Sequence, residues 1–346
     1  SIAKAFDKLK IKYNKTPTGL PSFDKNFLAT HSHEFAQNIV KARELNKART
    51  TFVDSILKHS HRGRIHADVN QLRSETGGTI SGRLSMQNPN LQQMPARNKD
   101  IGPKIRELFI PEKGEQWGCF DYSQQEPRIL IHYGALVSES TTWDVGTVEK
   151  LLSDYNNKKD TDFHQIVADM ADIDRKVAKT INLGMMYGMG KGKLSSQLGL
   201  DMDDAQEVFK KYHETVPFVK VLTEGTQRRA GDKGFIRTLL GRKCRFDLWE
   251  PATYGIHKPL PKEQAEAEHG GINRIRRAFT YRALNRLIQG SAADQTKKAM
   301  IDIFKEGIIP LIQVHDELDI SVYSEDQKKK VIEIMENTIP LRVPSK

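Results

Sequence analysis

Phe120-Asp121-Tyr122-Ser123-Gln124-Gln125-Glu126-Pro127-Arg128 (FDYSQQEPR, 120–128) is the stretch on which the reading of this chain turns. Cys119 and Phe120 lead an apolar run into Asp121, and such a run closed by polar residues reads as a buried strand ending in a carboxylate. A second stretch of the same kind, QVHDELDI at 313–320, follows far downstream. There Ile308 to Val314, broken by Pro310 and Gln313, runs into His315-Asp316, and Leu318, Ile320 and Val322 alternate afterwards. The pattern places His315-Asp316-Glu317 at or near a hairpin tip. Two aspartates at strand ends can hold a pair of hard divalent cations about 3.5–4 Å apart, a geometry suited to in-line phosphoryl displacement.

Composition agrees with that chemistry. The 346 residues allow a substantial core and two or three subdomains. Fifty-four Lys and Arg against 44 Asp and Glu leave a net charge of +10, which favours a polyanionic partner. The two cysteines, Cys119 and Cys244, follow no metal-ligand spacing and read as buried free thiols in a reducing compartment. No apolar stretch reaches the roughly 20 residues a membrane span needs, and the N-terminus carries no secretion signal. The first residue is Ser1 rather than Met, which suggests a fragment or a processed product.

Residues 1–75 read as mostly helical, with Phe35, Ile39, Ala42 and Leu45 at helical spacing. Residues 76–97 are rich in Gly, Ser, Asn, Pro and Gln and read as loop and short strand. Residues 145–230 read as several helices, with caps such as Asp201 and Asp203. The stretch 249–272, with three prolines and four glutamates and no apolar period, reads as an exposed, mobile loop. One or two helices are expected over 275–305, with Gly307 suited to a helix C-terminus.

A third element is RKVAKTINLGMMYG at 175–188. Arg175, Lys179 and Leu183 are four residues apart, so one helix face presents a guanidinium, an ammonium and an apolar side chain in a row. Tyr187 lies one step further, between Gly184 and Gly188, which would let another chain approach closely. A triphosphate laid on this face would meet the two cations with its oxygens. Alone, the stretch reads equally as a basic surface helix ending at a glycine.

Taken in order, TISGRLS, NPNLQQMP, DYSQQEPR, RKVAKTINLGMMYG, LIQGSAAD and QVHDEL resemble the polymerase module of family A DNA polymerases, from about Gly77 to Val322. The resemblance implies an α+β right-hand polymerase fold with an antiparallel palm sheet, helical fingers and a partial helical thumb. Residues 1–75 would be part of the thumb, 76–140 the first part of the palm, 141–280 the fingers and 281–346 the second part of the palm. It implies template-directed DNA synthesis from deoxynucleoside triphosphates on primer-template DNA, by a chain that acts as a monomer away from membranes. Two Mg2+ ions, for which Mn2+ could substitute, would be held by Asp121, Asp316 and the backbone carbonyl of Tyr122. Arg175 and Lys179 would bind the triphosphate, Lys179 also serving as proton donor to pyrophosphate; an ion pair with an aspartate is the bland reading of both. His164 would touch a phosphate, and Tyr187 would close over the new base pair.

Glu126 matches the position that rejects ribonucleotides. Pro127 at a first helical position would make it the cap residue as well. Arg83, Asn285, Gln289 and His315 match residues that touch the minor groove, whose acceptors are common to every correct pair. Glu317 reads as a solvated turn carboxylate.

Leu183 stands where the family usually carries Phe or Tyr, so sugar discrimination should differ. Leu183 and QQEPR together look more like phage enzymes, acting in a bacterial cytoplasm. The resemblance also leads to an expectation of no exonuclease domain within the sequence, and of no last palm strand after Val322. A single-subunit RNA polymerase, or a catalytically dead DNA-binding module, are the competing readings. Glu126 argues against the first and the intact Asp121, Asp316, Arg175 and Lys179 against the second.

Overall fold

The computed structural model describes the chain except Thr76, Ala96, Arg97, residues 141–145, Lys159, Tyr187 and Tyr254. The chain divides into two compact units, one of residues 1–68 and 86–110, the other of 69–85 and 111–346.

The first unit holds α1 (Ile2–Lys8), α2 (Lys25–Thr30), α3 (Glu34–Lys47), a π-helical turn over Ala48–Val53, α4 (Asp54–His59) and α5 (Gly102–Arg106). Phe6, Leu28 and Ala36 form a buried cluster lined by Tyr13, Phe23, Phe27 and Phe35. The buried stripe of α3 is centred on Ala36, and Leu45 is exposed. Phe52, Ile56 and Ile105 make a second cluster.

The second unit opens with β1 (Gln116–Asp121) and α6 (Gln125–Ser140). Five helices follow: α7 (Gly146–Asn157), α8 (Phe163–Ala171), α9 (Arg175–Met186), α10 (Lys191–Leu198) and α11 (Met202–Thr215). Asp201 caps α11, accepting from the amides of Asp203 and Asp204, so Asp203 lies inside the first turn. After α12 (Pro217–Lys233) come the hairpin β2 (Phe235–Arg237) and β3 (Lys243–Arg245), then β4 (Leu248–Pro251), β5 (Leu260–Pro261), α13 (Lys262–His269) and β6 (Ile275–Arg277). The long α14 (Ala283–Lys305) leads to β7 (Pro310–Val314), β8 (Glu317–Val322) and α15 (Glu325–Asn337). Gly307, at φ 78°, follows the end of α14 in the left-handed conformation that glycine adopts without strain.

Stretch 249–272 departs from the loop expected of it. β4 pairs with β5 and β6, and α13 packs against them. Its order comes from charged and aromatic groups rather than from an apolar period. Arg277 lies 4.5 Å over the ring of Trp249, and buried Glu250 pairs with Arg276 at 3.1 Å and with His257 at 3.2 Å.

Strands β7, β8 and β1 form one antiparallel sheet in that order. Leu318, Ile320, Val322 and Phe120 point to one face, where they join Ala299, Ile303, Val331 and Met335 of α14 and α15 in a core. Alternation puts Cys119, Asp121, Glu317 and Asp319 on the opposite face. Cys119 is therefore exposed, correcting the buried thiol expected from its apolar neighbours, whereas Cys244 is buried. A larger core from α6–α12 and α14 surrounds Ile129, Leu130, Ile131, Ile181, Met186 and Ile288.

Gly188 has φ 70°, and a Cβ there would lie 2.6 Å from the carbonyl oxygen of Tyr281. The close approach expected at this glycine is thus made by the chain's own turn ahead of α14.

Candidate active site

β1 and β8 bring the two aspartate motifs together. Register sets Asp121 opposite Glu317, and the amide of Tyr122 donates to the carbonyl of Asp316 at 3.3 Å. Burial, with the charge of Asp316 added, pushes the Asp121 carboxyl up to about 6. Two carboxylates forced together in this way are a fitting site for divalent cations, whose charge relieves the repulsion. Tyr122 turns its ring into the core below the sheet, donating to the carbonyl of Met335 at 2.7 Å.

Glu317 is the first residue of β8 rather than part of the turn, and it lies with Cys119 and Asp319 in a tight group whose ligand atoms are within 4.8 Å of one another. Partial desolvation on the sheet face, together with a hydrogen bond to Asp319 and the charges of Asp319 and Glu317, pushes the Cys119 thiol up to about 12, so it stays protonated although exposed.

Glu126 sits in the first turn of α6, which begins at Gln125; it is not the cap that Pro127 had suggested. Arg83 Nη2 donates to its Oε1 at 2.6 Å, and Gln289 also hydrogen-bonds its carboxylate. Burial outweighs these partners and holds the carboxyl above its ordinary value. His315 occupies the β7–β8 turn at φ 60°, near enough to Arg83 and Asp316 to feel both charges. Asp121, Asp316, Glu126, Arg83, Gln289 and His315 thus form one group, with Asn285 one turn before Gln289 on α14.

The cationic group lies on α8 and α9. Arg175 Nε donates to Asp162 at 2.9 Å, so the ion pair that was its bland reading is present. Asp162 also caps α8, accepting from the amides of His164 and Gln165. Lys179 is exposed and half-buried Leu183 packs against the core. His164, buried, receives a hydrogen bond at Nδ1 from Asn182 at 3.0 Å. Burial and the nearby charges of Lys179 and Arg175 outweigh Asp162 and lower its pKa. Tyr187 lies outside the described residues.

Gln124, which the sequence reading passed over, joins the two groups. Its Oε1 accepts from Tyr155 Oη at 2.8 Å and from the amide of Phe163 at 3.1 Å, and its Nε2 donates to the carbonyl of Thr161 at 2.6 Å. Arg242 was also missed. It reaches Asp294, the carbonyl of Ser81 and the carbonyl of Gly290, fixing the chain beside both Arg83 and Gln289. A Cβ on Gly82 or Gly290 would lie 2.5 Å or 2.8 Å from its guanidinium. The only hint in sequence was the pairing of glycine with each functional neighbour.

Among the described residues no helix is long and apolar enough to cross a membrane. The family model for DNA polymerase family A matches residues 3–346. A DNA-directed DNA polymerase of Pseudomonas phage M6 is 36% identical over 389 residues, covering 100% of this chain and 55% of that protein. DNA polymerase I of Geobacillus stearothermophilus is 34% identical over 363 residues, covering 99% and 37%. The chain spans about half the length of the curated phage relatives it matches, 55% and 54% for two of them. A solved structure, the POL domain of Pol1 from M. smegmatis in complex with DNA primer-template and dNTP, aligns over 98% of this chain and 57% of that one, with a TM-score of 0.73 and 29% identity. With its α+β polymerase fold and a match running almost from end to end, the chain belongs to DNA polymerase family A.

Proposed function

We propose that this chain is a template-directed DNA polymerase, adding deoxynucleoside triphosphates to a primer 3′-hydroxyl and releasing pyrophosphate. The observation that carries the reading is the meeting of Asp121 and Asp316 at one end of the β1–β8 pair. Family A polymerases depend on divalent metal; here Asp121, Asp316 and the Tyr122 carbonyl would hold two Mg2+ ions, or Mn2+ in their place, whose charge would supply Lewis-acid stabilisation of the attacking and leaving oxygens.

The chain's own groups do the remaining work. Asp162 holds Arg175 through Nε and Nη2, leaving the Nη1 edge for a phosphate oxygen, and Lys179 supplies a second cation and a proton for pyrophosphate. The bond from Asn182 leaves His164 with its proton on Nε2, ready to donate to a phosphate. Glu126, held by Arg83, crowds the 2′ carbon of the incoming sugar, with Leu183 of α9 beside the same sugar and Tyr187 closing over the new base pair. Arg83, Asn285, Gln289 and His315 donate to minor-groove acceptors and so test pair shape without reading sequence.

In this reading residues 1–75 are thumb, 76–140 and 281–346 palm, and 141–280 fingers. Primer-template DNA and deoxynucleotides are the partners of a monomeric chain working, like its phage relatives, inside a bacterial host. Primer extension with Asp316→Asn is the test. Loss of extension by more than a hundredfold is expected; extension that survives the change removes metal catalysis from this site. Offering ribonucleotides beside deoxynucleotides separates DNA from RNA synthesis.

A further inference from the structure

Arg286, on α14, is only 9% exposed, yet no carboxylate pairs with it among the described residues. Its Nη1 donates to the carbonyl of Arg245 at 2.6 Å, and its guanidinium lies 4.2 Å over the ring of Phe246. Neither contact cancels its charge. The formal charges that reach it are two more cations, Arg282 one turn earlier and Arg73 from the loop before Arg83, and one carboxylate, Asp247, whose effect is smaller than that of either arginine. Arg73 and Arg282 likewise have no carboxylate partner among the described residues; Arg282 Nε instead meets the hydroxyl of Tyr281 at 3.0 Å.

These three arginines, with Thr79, Asn285 and Gln289, line a pocket of about 320 Å3. Nδ2 of Asn285 is buried there without a hydrogen-bond partner. Burying a cation without a counter-charge is costly, and gathering two more around it adds repulsion. A fold tolerates that arrangement where an anion completes it. Guanidinium groups favour oxyanions with several acceptors, phosphate above all.

Position narrows the ligand. Arg282, Asn285, Arg286 and Gln289 follow one another along a single helix face, and a rise of 1.5 Å per residue separates Arg282 from Gln289 by about 10 Å. That is comparable with the depth of a minor groove, about 7.5 Å. A helix whose Gln289 end touches base edges therefore carries its arginines at the level of the backbone.

We propose that Arg73, Arg282 and Arg286 clamp one backbone phosphodiester of the bound primer-template, next to the minor-groove contacts of Asn285 and Gln289. The inference rests on the polymerase reading. The clamp would set the register of the duplex over the carboxylates without reading its sequence.

The test is fluorescence anisotropy of a labelled primer-template, titrated across a range of salt concentrations with the unaltered chain, Arg73→Ala and Arg286→Gln. Each lost phosphate contact lowers the slope of log K against log salt by about 0.9. Exposed Arg73 can be removed without disturbing the core, so it guards against misfolding of the Arg286 variant. A second arm replaces single phosphates by neutral methylphosphonates along each strand. One position should weaken the unaltered chain about tenfold and leave Arg73→Ala almost unaffected. Normal binding by the unaltered chain, with both variants keeping its slope, overturns the clamp alone. An unaltered chain that binds no primer-template overturns the polymerase reading and the clamp with it.

Discussion

Nδ2 of Asn182 donates to Nδ1 of His164 across 3.0 Å, inside the contact between α8 and α9. The bond occupies Nδ1 as an acceptor, so a neutral His164 carries its proton on Nε2. Its pKa is already lowered by burial and by Lys179 and Arg175, which keeps the ring neutral as pH falls past the ordinary value. The imidazole therefore acts as a hydrogen-bond donor rather than as a third cation. Nitrogen-15 NMR of the imidazole should show a protonated Nε2 and a bare Nδ1 at pH 7. Removing the donor in Asn182→Ala should raise KM for the deoxynucleotide by up to about tenfold, equivalent to ~1.4 kcal/mol of binding, with a smaller effect on kcat. A protonated Nδ1 in the unaltered chain would contradict this account.

The Asp121 carboxyl makes a prediction about stability rather than rate. Its folded value of about 6 lies above the ordinary 3.8, so the folded chain holds its proton more tightly than the unfolded chain does. Between those two values stability contributed by this group falls as pH rises, and above about 6 its penalty is complete. In metal-free buffer Asp121→Asn should therefore melt higher than the unaltered chain at pH 7. The gap should close as the pH is brought down towards 4. Added Mg2+ should raise the Tm of the unaltered chain and leave the variant where it was. Equal Tm values for both at pH 7, with and without Mg2+, would show that the carboxylates do not form a cation site.

Arg83 and Glu126 stand 43 residues apart and meet at 2.6 Å, with both side chains largely enclosed. Changing Glu126 to Ala leaves a mostly buried guanidinium without its partner, at a cost of about 1–3 kcal/mol. Selectivity should suffer with stability. Ribonucleotide incorporation relative to deoxynucleotide should rise tenfold or more, measured as the ratio of kcat/KM values, because the carboxylate that crowds the 2′ carbon is gone. A ratio that stays put while Tm falls would reduce Glu126 to a structural partner of Arg83.

The parts of this site that could be read from the sequence are those whose signal is local. Asp121 and Asp316 each close an apolar run, and Arg175, Lys179 and Leu183 repeat at helical spacing, so a strand end and a helix face follow from neighbours alone. Exposure of Cys119 did not follow, because its edge strand β1 had to be aligned with the distant β8 before its face was known. The fold of 249–272 escaped notice because Trp249 and Glu250 are satisfied by Arg276 and Arg277, which lie beyond its far end. Arg242 is invisible for the same reason: its partners Ser81, Gly290 and Asp294 are 161, 48 and 52 residues away.

Gln124 is the clearest case of a residue whose work depends on distant partners, and its backbone allows two effects to be separated. It has φ 54°, a left-handed conformation that costs an ordinary residue roughly 1–2 kcal/mol and glycine almost nothing. Its side chain makes the three bonds to Tyr155, Thr161 and Phe163 that tie the Asp121 loop to the start of α8. Gln124→Ala loses those bonds and keeps the backbone strain; Gln124→Gly loses the bonds and relieves it. The glycine variant should therefore be more stable than the alanine variant by about 1 kcal/mol, read from denaturant midpoints. Both should share one functional defect, since neither can hold α8 against the carboxylate loop. KM for the deoxynucleotide should rise in both, by similar factors, while affinity for primer-template stays near that of the unaltered chain. If the glycine variant recovered normal KM, the left-handed backbone alone would set the loop, and the bonds to Tyr155, Thr161 and Phe163 would have no part in joining the two halves of the site.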